Sequence, residues 1–377
     1  MVKLIEPLRV VELYAGTARS VEPFRAWPRA KIALLVDKNP LAQATYVENH
    51  PNSPYVTRSL RRTRPDEIEA WAGGKVDILL GCPPCQGFSD TGSRDLSDPN
   101  NEHLWRFGVL AAGLRPRALA MENVPVAART RRFELFAKRL TEAGYRWTAR
   151  ILNAPLWGSP QCRQRLIFIA FRDDIGIEPK IPSPTHGASG TYFSYSAQRL
   201  TTISESPMEI LGEAPATQHL ARQLAPDETL TLGPAPIPVI EEVLDGLPTI
   251  GTAEAERLGH VPWKHGRKML NRMKRVPEGG RWKGGEDHYS HAYARLHRRG
   301  LARTITTYFG NPGSGRFWHP VENRALTVRE AARLQGFPDS FLLPKAGTEG
   351  RVTSLVGNAL DQRLGNVAFD VIRAALE

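Results

Sequence analysis

The sequence predicts an α/β protein: a doubly wound parallel sheet followed by a smaller, less regular domain. Three observations predict it. Short apolar runs alternate with amphipathic stretches over the first 172 residues, the texture turns loop-rich from about 175, and regular patterning returns only near the end of the chain.

Taken in order, RVVELYAG, KIALLVDKN, VDILLGCPP, PRALAMENV and RLIFIAFR are strand candidates, rich in Val, Ile, Leu or Ala, and several end in Gly, Pro, Asn or Asp. Between them PLAQATYVENH and RRFELFAKRLTEAG have helical amphipathicity, so the strands are expected to run parallel through crossover helices. Ligands of such sheets bind outside the carboxyl ends of the strands, where the polar ends of these runs fall. From about 175, IPSPTHGASGTYFSY, GPAPIPV, GLPTIGT and PEGGRWKGG are loop-rich and suggest a separate domain. LTVREAARLQ restores a helical pattern, and DQRLGNVAFDVIRAALE is an amphipathic helix able to pack back on the sheet. The expected division is 1–175, 176–325 and a returning segment 326–377.

The chain has 377 residues, of which 41% are hydrophobic and 24% charged, enough for a full core and more than one compact unit. No apolar run approaches the roughly 20 residues that a bilayer requires, so a soluble protein is expected. MVKLIEPLRVVELYAG lacks a signal-peptide layout, which makes the cytoplasm the expected location. Lys plus Arg number 50 against 39 Asp plus Glu, a formal +11 that favours a polyanionic partner such as nucleic acid. Three cysteines, an odd number, argue against a disulfide framework. Two of them, Cys82 and Cys85, form a C-x-x-C that could be a redox pair, half a zinc site or the frame of one reactive thiol. No second C-x-x-C and no H-x-x-x-H completes a zinc site, so no metal is expected.

Four segments carry candidate chemistry. ELYAGTARS follows the first strand, and Asp37 ends the second, 21 residues after Gly16. A glycine there lets backbone approach a nucleotide and the acid can bind ribose hydroxyls, although a strand-ending Asp can equally be a helix cap. GCPPCQGFS presents Cys85 on a loop that two prolines stiffen, which suits a rigidly held nucleophile; the alternative is a buried structural cysteine. MENV puts Glu122 and Asn123 at the same sheet edge, where a carboxylate flush against an apolar strand can act as an acid near neutral pH. QCRQR sets Arg163 and Arg165 two apart, on one side of an extended chain, as donors to a phosphate or a base oxygen.

In this order and spacing the segments resemble the DNA (cytosine-5)-methyltransferase family of bacterial type. ELYAGTARS is similar to its cofactor loop, PPCQGFS to its nucleophile loop, MENV to its acid motif and SPQCRQRLIFIA to its arginine motif, while PEGGRW, ARTITTYFG, HPVENRALTVREAARLQGFPDSF and SLVGNAL resemble later blocks. The resemblance implies a Rossmann-like S-adenosylmethionine-dependent methyltransferase sheet with a smaller irregular target-recognition domain. It implies S-adenosyl-L-methionine as cofactor, S-adenosyl-L-homocysteine as product and double-stranded DNA as substrate. Tyr14, Ala15, Gly16, Thr17, Asp37, Leu104 and Asn358 would bind the cofactor, with Tyr14 and Leu104 at the adenine, Asp37 at the ribose and Asn358 at the methionine end. Cys85 would be the nucleophile, Glu122 the group at cytosine N3, Arg165 the holder of O2 and Arg163 a support for the active-site loop or a phosphate. Cys82 would fill a position where the family often has a small residue.

The resemblance further implies a monomer acting on a flipped-out cytosine, either beside a cognate restriction endonuclease or alone, with specificity in roughly 185–260. The stretch KHGRKMLNRMKRVPEGGRWKGG, near Trp263 and including Trp282, would face DNA. Three departures stand out. Ala18 and Arg19 replace two glycines of the cofactor loop, Ser59 stands where an acid usually meets the adenine amino group, and GNALDQ replaces the commoner GNAVP. The rival readings are tRNA methylation, whose Cys-Phe-Thr signature does not occur in the chain, a catalytically silent DNA-binding protein, and a thiol oxidoreductase that would need Cys82.

Overall fold

The computed structural model describes residues 6–84, 102–187, 192–196, 199–203, 233–284, 292–344 and 349–377. Its strands are β1 (Leu8–Leu13), β2 (Ala30–Asp37), β3 (Tyr55–Thr57), β4 (Ile78–Gly81), β5 (Ala118–Asn123), β6 (Tyr145–Asn153), β7 (Gln161–Cys162), β8 (Gln164–Arg172), β9 (Tyr192–Ser196), β10 (Arg199–Ile203) and β11 (Ala302–Arg303). Its α-helices are α1 (Glu22–Arg25), α2 (Pro40–Asn49), α3 (Pro65–Ala72), α4 (Glu102–Leu114), α5 (Arg131–Glu142), α6 (Ile240–Leu244), α7 (Ala253–Arg257), α8 (Arg267–Met273), α9 (Val328–Leu334), α10 (Glu349–Asn358) and α11 (Gln362–Leu376). No described helix is long and apolar enough to cross a membrane.

Seven strands form one mixed sheet in the order β3-β2-β1-β4-β5-β8-β6. The order reverses at β1/β4, so the carboxyl ends of these two strands open a crevice. β1, β2, β4 and β5 pair in parallel as the sequence predicts. RLIFIAFR does not: β8 lies antiparallel to both β5 and β6. The reason is the connection, since β6 ends at Asn153 and β8 begins at Gln164, too few residues for a parallel crossover of about a dozen or more. β6 is itself not among the strand candidates. Its YRWTARILN buries Tyr145, Ala149, Leu152 and Asn153 and leaves the other five positions partly or fully exposed at the sheet's edge, without the continuous apolar run of a central strand.

Apolar residues cover both faces of the sheet. On one face Phe107 and Leu110 of α4 and Phe133, Phe136 and Leu140 of α5 pack on Leu79, Leu119 and Phe168. The α5 positions recur at helical spacing, and Thr130 caps the helix by accepting from the Phe133 N–H at 3.3 Å. On the other face α11 lays Leu364, Val367, Ile372 and Leu376 against Val10, Leu80, Ala120 and Ile169. Asp361 caps α11, accepting from the Arg363 N–H at 3.0 Å. A second core joins Ile240, Leu296, Ile305, Phe309, Phe317, Leu334, Phe337, Phe341 and Val356, so the chain from 240 to 359 builds a lobe of its own before Leu360 rejoins the sheet.

Candidate active site

The chain turns sharply where β1 ends. Tyr14, Gly16 and Ala18 have φ of 58°, 53° and 51°, all left-handed. Glycine takes that conformation freely, whereas Tyr and Ala each carry strain of about 1–2 kcal/mol, an arrangement that persists where surrounding contacts over-determine it. Asp37 is one such contact: its Oδ2 accepts the Gly16 N–H and its Oδ1 the Asn39 N–H, both at 2.9 Å. The Tyr55 hydroxyl donates to the Gly16 carbonyl at 2.7 Å. The cap of α2 is Asn39, whose side chain accepts the Leu41 N–H at 3.0 Å, so Asp37 braces the loop instead of capping the helix. The Tyr14 ring meets His103 edge-on at 5.3 Å, its hydroxyl 3.2 Å from Nδ1.

Among the described residues, the buried polar atoms without a hydrogen-bond partner on this side include Thr17 Oγ1, Glu12 Oε2 and Arg19 Nε. The other oxygen of Glu12 accepts from the Ser20 hydroxyl. Burial pushes the Glu12 carboxyl up to about 8; the Ser20 hydrogen bond opposes this, and Asp37 and Glu22 add to it.

The facing wall starts from the ends of β5 and β8. The antiparallel register sets Glu122 opposite Ile167, and Arg165 Nε reaches Glu122 Oε1 at 2.7 Å, both side chains only 13% exposed. Fully buried Arg163 lies just outside β8 and binds main-chain oxygens of the second lobe: Ile305 at 3.3 Å, Gly357 at 3.2 Å and Ala359 at 3.0 Å. Asn123 Nδ2 donates to the Pro83 carbonyl at 3.2 Å, fastening Cys82, Pro83 and Pro84 to the end of β5. Burial pushes the Cys82 thiol well above the ordinary range, with the charge and hydrogen bond of Glu122 adding, and burial pushes Cys162 up to about 11. Neither is poised as a thiolate. Cys85 lies outside the described residues.

Both walls enclose one cleft of about 390 Å³, within the span of ligand sites. Tyr14, Ala15, Gly16, Thr17, Asp37, Glu122, Arg163, Arg165 and Asn358 all line it, as do Arg19 and Ser59. Leu104 does not: it is buried in the core beside Phe107, and its neighbour His103 faces the cleft. Sequence reasoning missed His103, Glu12 and the run Thr304–Thr307, which also line it. An acid inside the apolar run RVVEL was the available signal for Glu12. The Thr304–Thr307 run lies in ARTITTYFG, which resembles a later block of the family, but its place in the cleft is set only when the second lobe folds. Among the described residues no cluster of His, Cys, Asp or Glu could hold a metal ion.

Comparison with known proteins bears on this cleft. The family described as C-5 cytosine-specific DNA methylase matches residues 8–373. The chain is 25% identical over 395 residues to the Type II methyltransferase M.DdeI of Desulfomicrobium norvegicum, covering 98% of this chain and 87% of that one. It is 26% identical over 434 residues to the Type II methyltransferase M.AgeI of Thalassovita gelatinovora, covering 98% and 100%. Its fold is similar to that of the S. pombe Dnmt2 methyltransferase (TM-score 0.62, 16% identity, 98% and 99% covered) and of the Entamoeba histolytica methyltransferase EhMeth (TM-score 0.63, 14% identity, 99% and 100% covered). The match runs from the first strand into the last helix, through ELYAGTARS, MENV and QCRQR alike, and the chain belongs to the C-5 cytosine-specific DNA methylase family, whose activity is DNA cytosine-5 methylation.

Proposed function

We propose that this enzyme transfers a methyl group from S-adenosylmethionine to C5 of a cytosine flipped out of a specific short duplex sequence, through a covalent adduct between Cys85 and C6. The observation that carries the reading is the Glu122–Arg165 pair, 2.7 Å apart, in one cleft with the strained Tyr14–Ala18 loop and the Cys82–Pro84 segment that leads into Cys85.

The residues present fit the cofactor. Thr17 offers a buried hydroxyl without a partner, Asp37 keeps carboxylate lone pairs beyond its two backbone donors, and Tyr14, Leu60 and His103 supply flat or apolar surface. When bound, S-adenosylmethionine supplies an electrophilic methyl group. Cytosine C5 is too electron-poor to take it unaided. Addition of the Cys85 thiolate to C6 makes C5 carbanion-like, Glu122 protonates or hydrogen-bonds N3 as charge develops, and Arg165 holds O2. Arg163 supports this wall by fixing three carbonyls of the second lobe. Loss of the C5 proton, to water or hydroxide, and then of Cys85 restores aromaticity.

The base reaches these groups only outside the stack, at a cost of a few kcal/mol that pocket contacts and phosphate neutralisation offset. The 176–325 region, with Arg267, Lys268, Arg272 and Lys274 around α8, carries the DNA contacts in this reading. Arg272 sits 5.7 Å over Trp282 and 5.3 Å over Tyr293, an aromatic and cationic surface suited to a nucleic acid. The enzyme acts as a monomer in the cytoplasm, alone or beside an endonuclease for the same site.

The test is bisulfite sequencing of plasmid DNA from a methylation-free host expressing the chain, beside Cys85→Ser and Cys82→Ser. Protection at one recurring motif, lost with Cys85→Ser and kept with Cys82→Ser, is expected. Folded wild-type protein that protects nothing would leave a silent DNA-binding protein, and protection that needs Cys82 would sink the thiol assignment.

A further inference from the structure

Arg19 stands where the cofactor loop of the family has a glycine, and nothing in the proposed chemistry uses it. A long cation on a loop is ordinarily solvated. This one is 5% exposed. Its guanidinium lies 4.8 Å over the centre of the Phe337 ring and 5.5 Å over that of Phe341, and Nη2 donates to the Gly336 carbonyl at 3.3 Å. All three acceptors belong to the turn after α9, and both rings are part of the core of the second lobe. Arg19 has no carboxylate within ion-pair distance among the described residues, so its seat is made of π-faces and a carbonyl. That seat exists only while the turn is docked.

The backbone shows what the seat holds. Ala18, next to Arg19, keeps its left-handed φ of 51°, and the loop is pinned from the other side by Asp37 on Gly16. The docked turn has a second attachment on this side of the sheet: Asn49 of α2 accepts the Leu342 N–H at 2.6 Å and donates to its carbonyl at 2.8 Å. The turn is thus fastened to the cofactor-loop residue at one end and to α2 at the other.

We infer that Arg19 is a positioning residue that ties the cofactor loop to the second lobe, so that docking of that lobe and occupancy of the cofactor site favour each other. The inference rests on the cofactor reading of the cleft. Undocking the turn removes the anchor on the Arg19 side and leaves those of Asp37 and Tyr55 on Gly16, and the loop then presents Gly16 and Thr17 to the cofactor in the right geometry for less of the time. Linkage makes the effect reciprocal: a cofactor that selects the anchored loop also selects the docked lobe. A glycine at this position would have no side chain to reach the turn; here the Arg19 side chain does so.

The test uses the whole chain, S-adenosylhomocysteine as the probe, calorimetry for affinity and hydrogen exchange for the lobe. Wild type is expected to bind and, on binding, to slow exchange at amides of residues 336–343. Arg19→Ala is expected to bind about tenfold more weakly, as loss of a desolvated cation–π contact and a hydrogen bond predicts, and to lose that slowing. Arg19→Lys keeps the charge without the planar fork and is expected to recover only part of both effects. Phe337→Leu keeps the core apolar and removes the closer ring, giving a second reading if Arg19→Ala fails to fold; a loss of about threefold is expected. Wild-type affinity in these variants, or cofactor-dependent slowing at 336–343 that persists in them, would overturn the inference while leaving the cofactor reading intact. Folded wild type that does not bind S-adenosylhomocysteine would remove both.

Discussion

Glu12 shows how one side chain can carry a cost that its strand does not need. It sits at the end of a strand buried on both faces, with one oxygen bonded to Ser20 and the other unpartnered. Arg19, Glu22 and Asp37 surround it, and burial is the largest cause of its raised pKa. Its folded pKa of about 8 exceeds the ordinary 4.5, so between those values the folded protein holds a proton that the unfolded chain has released. The contribution of Glu12 to stability therefore falls as pH rises from about 4.5 to 8 and is level above that. Glu12→Gln should remove this contribution: equal to wild type near pH 5, and more stable by a few kcal/mol near pH 9, because each tenfold change in proton affinity between folded and unfolded chain is worth about 1.4 kcal/mol. Denaturant melts across that range check it, and parallel curves would refute it. The residues of the site were unevenly legible at this scale. Tyr14, Gly16, Asp37, Glu122 and Arg165 stand beside strand ends and could be read from the sequence, whereas Leu104 and His103 differ by about 100° around a helix that periodicity locates only to within a residue.

At the scale of elements, close approach decides more than propensity. Gly357, near the end of α10, lies so near the second-lobe chain that a Cβ there would stand 2.5 Å from the carbonyl carbon and oxygen of Thr306. Backbone cannot swing aside as a side chain can. Gly357→Ala should cost about 1–3 kcal/mol or more and open the wall that Thr304–Thr307 and Asn358 share, measurable as a lower unfolding midpoint together with weaker cofactor binding. An unchanged midpoint would mean that the wall has slack. Elements themselves were legible where periodicity was strong, as in α5 and α11. β6 was hidden because, at the sheet's edge, it carries no continuous apolar run, and the antiparallel course of β8 because direction is set by the length of a connection and not by composition.

Over the whole molecule, buried polar contacts tie the segment between β6 and β8 to the second lobe and to the start of α11. Gln161 Nε2 meets Gln335 Oε1 at 2.7 Å, Gln161 Oε1 accepts the Ile305 N–H at 2.7 Å, and the Ser159 hydroxyl donates to Asp361 at 2.7 Å. Asp361 is doubly used, since it also caps α11. Asp361→Ala removes a cap and strands a buried hydroxyl, so it should cost about 2–4 kcal/mol, whereas Ser159→Ala should cost about 1 kcal/mol. Thermal unfolding of the two variants checks the order, and a reversed order would show that the cap contributes little. None of these contacts could be read from sequence, because their partners lie 144 to 202 residues apart and nothing local marks them.

The cleft closes late in the life of each molecule. Its first wall is encoded by residues 12–60 and its last by 354–360. The first wall stands on β1, β2 and β4, strands made early, but Ala15 and Ala18 pack in the same core as Leu360 and Leu364, so that wall is completed only when the last stretch of the chain arrives. Until then the loop after β1 lacks part of the contact that holds its strained backbone, supplied by a segment made hundreds of residues afterwards. A chain still being synthesised holds no finished cleft, and a messenger truncated before codon 354 yields a protein that lacks its last wall.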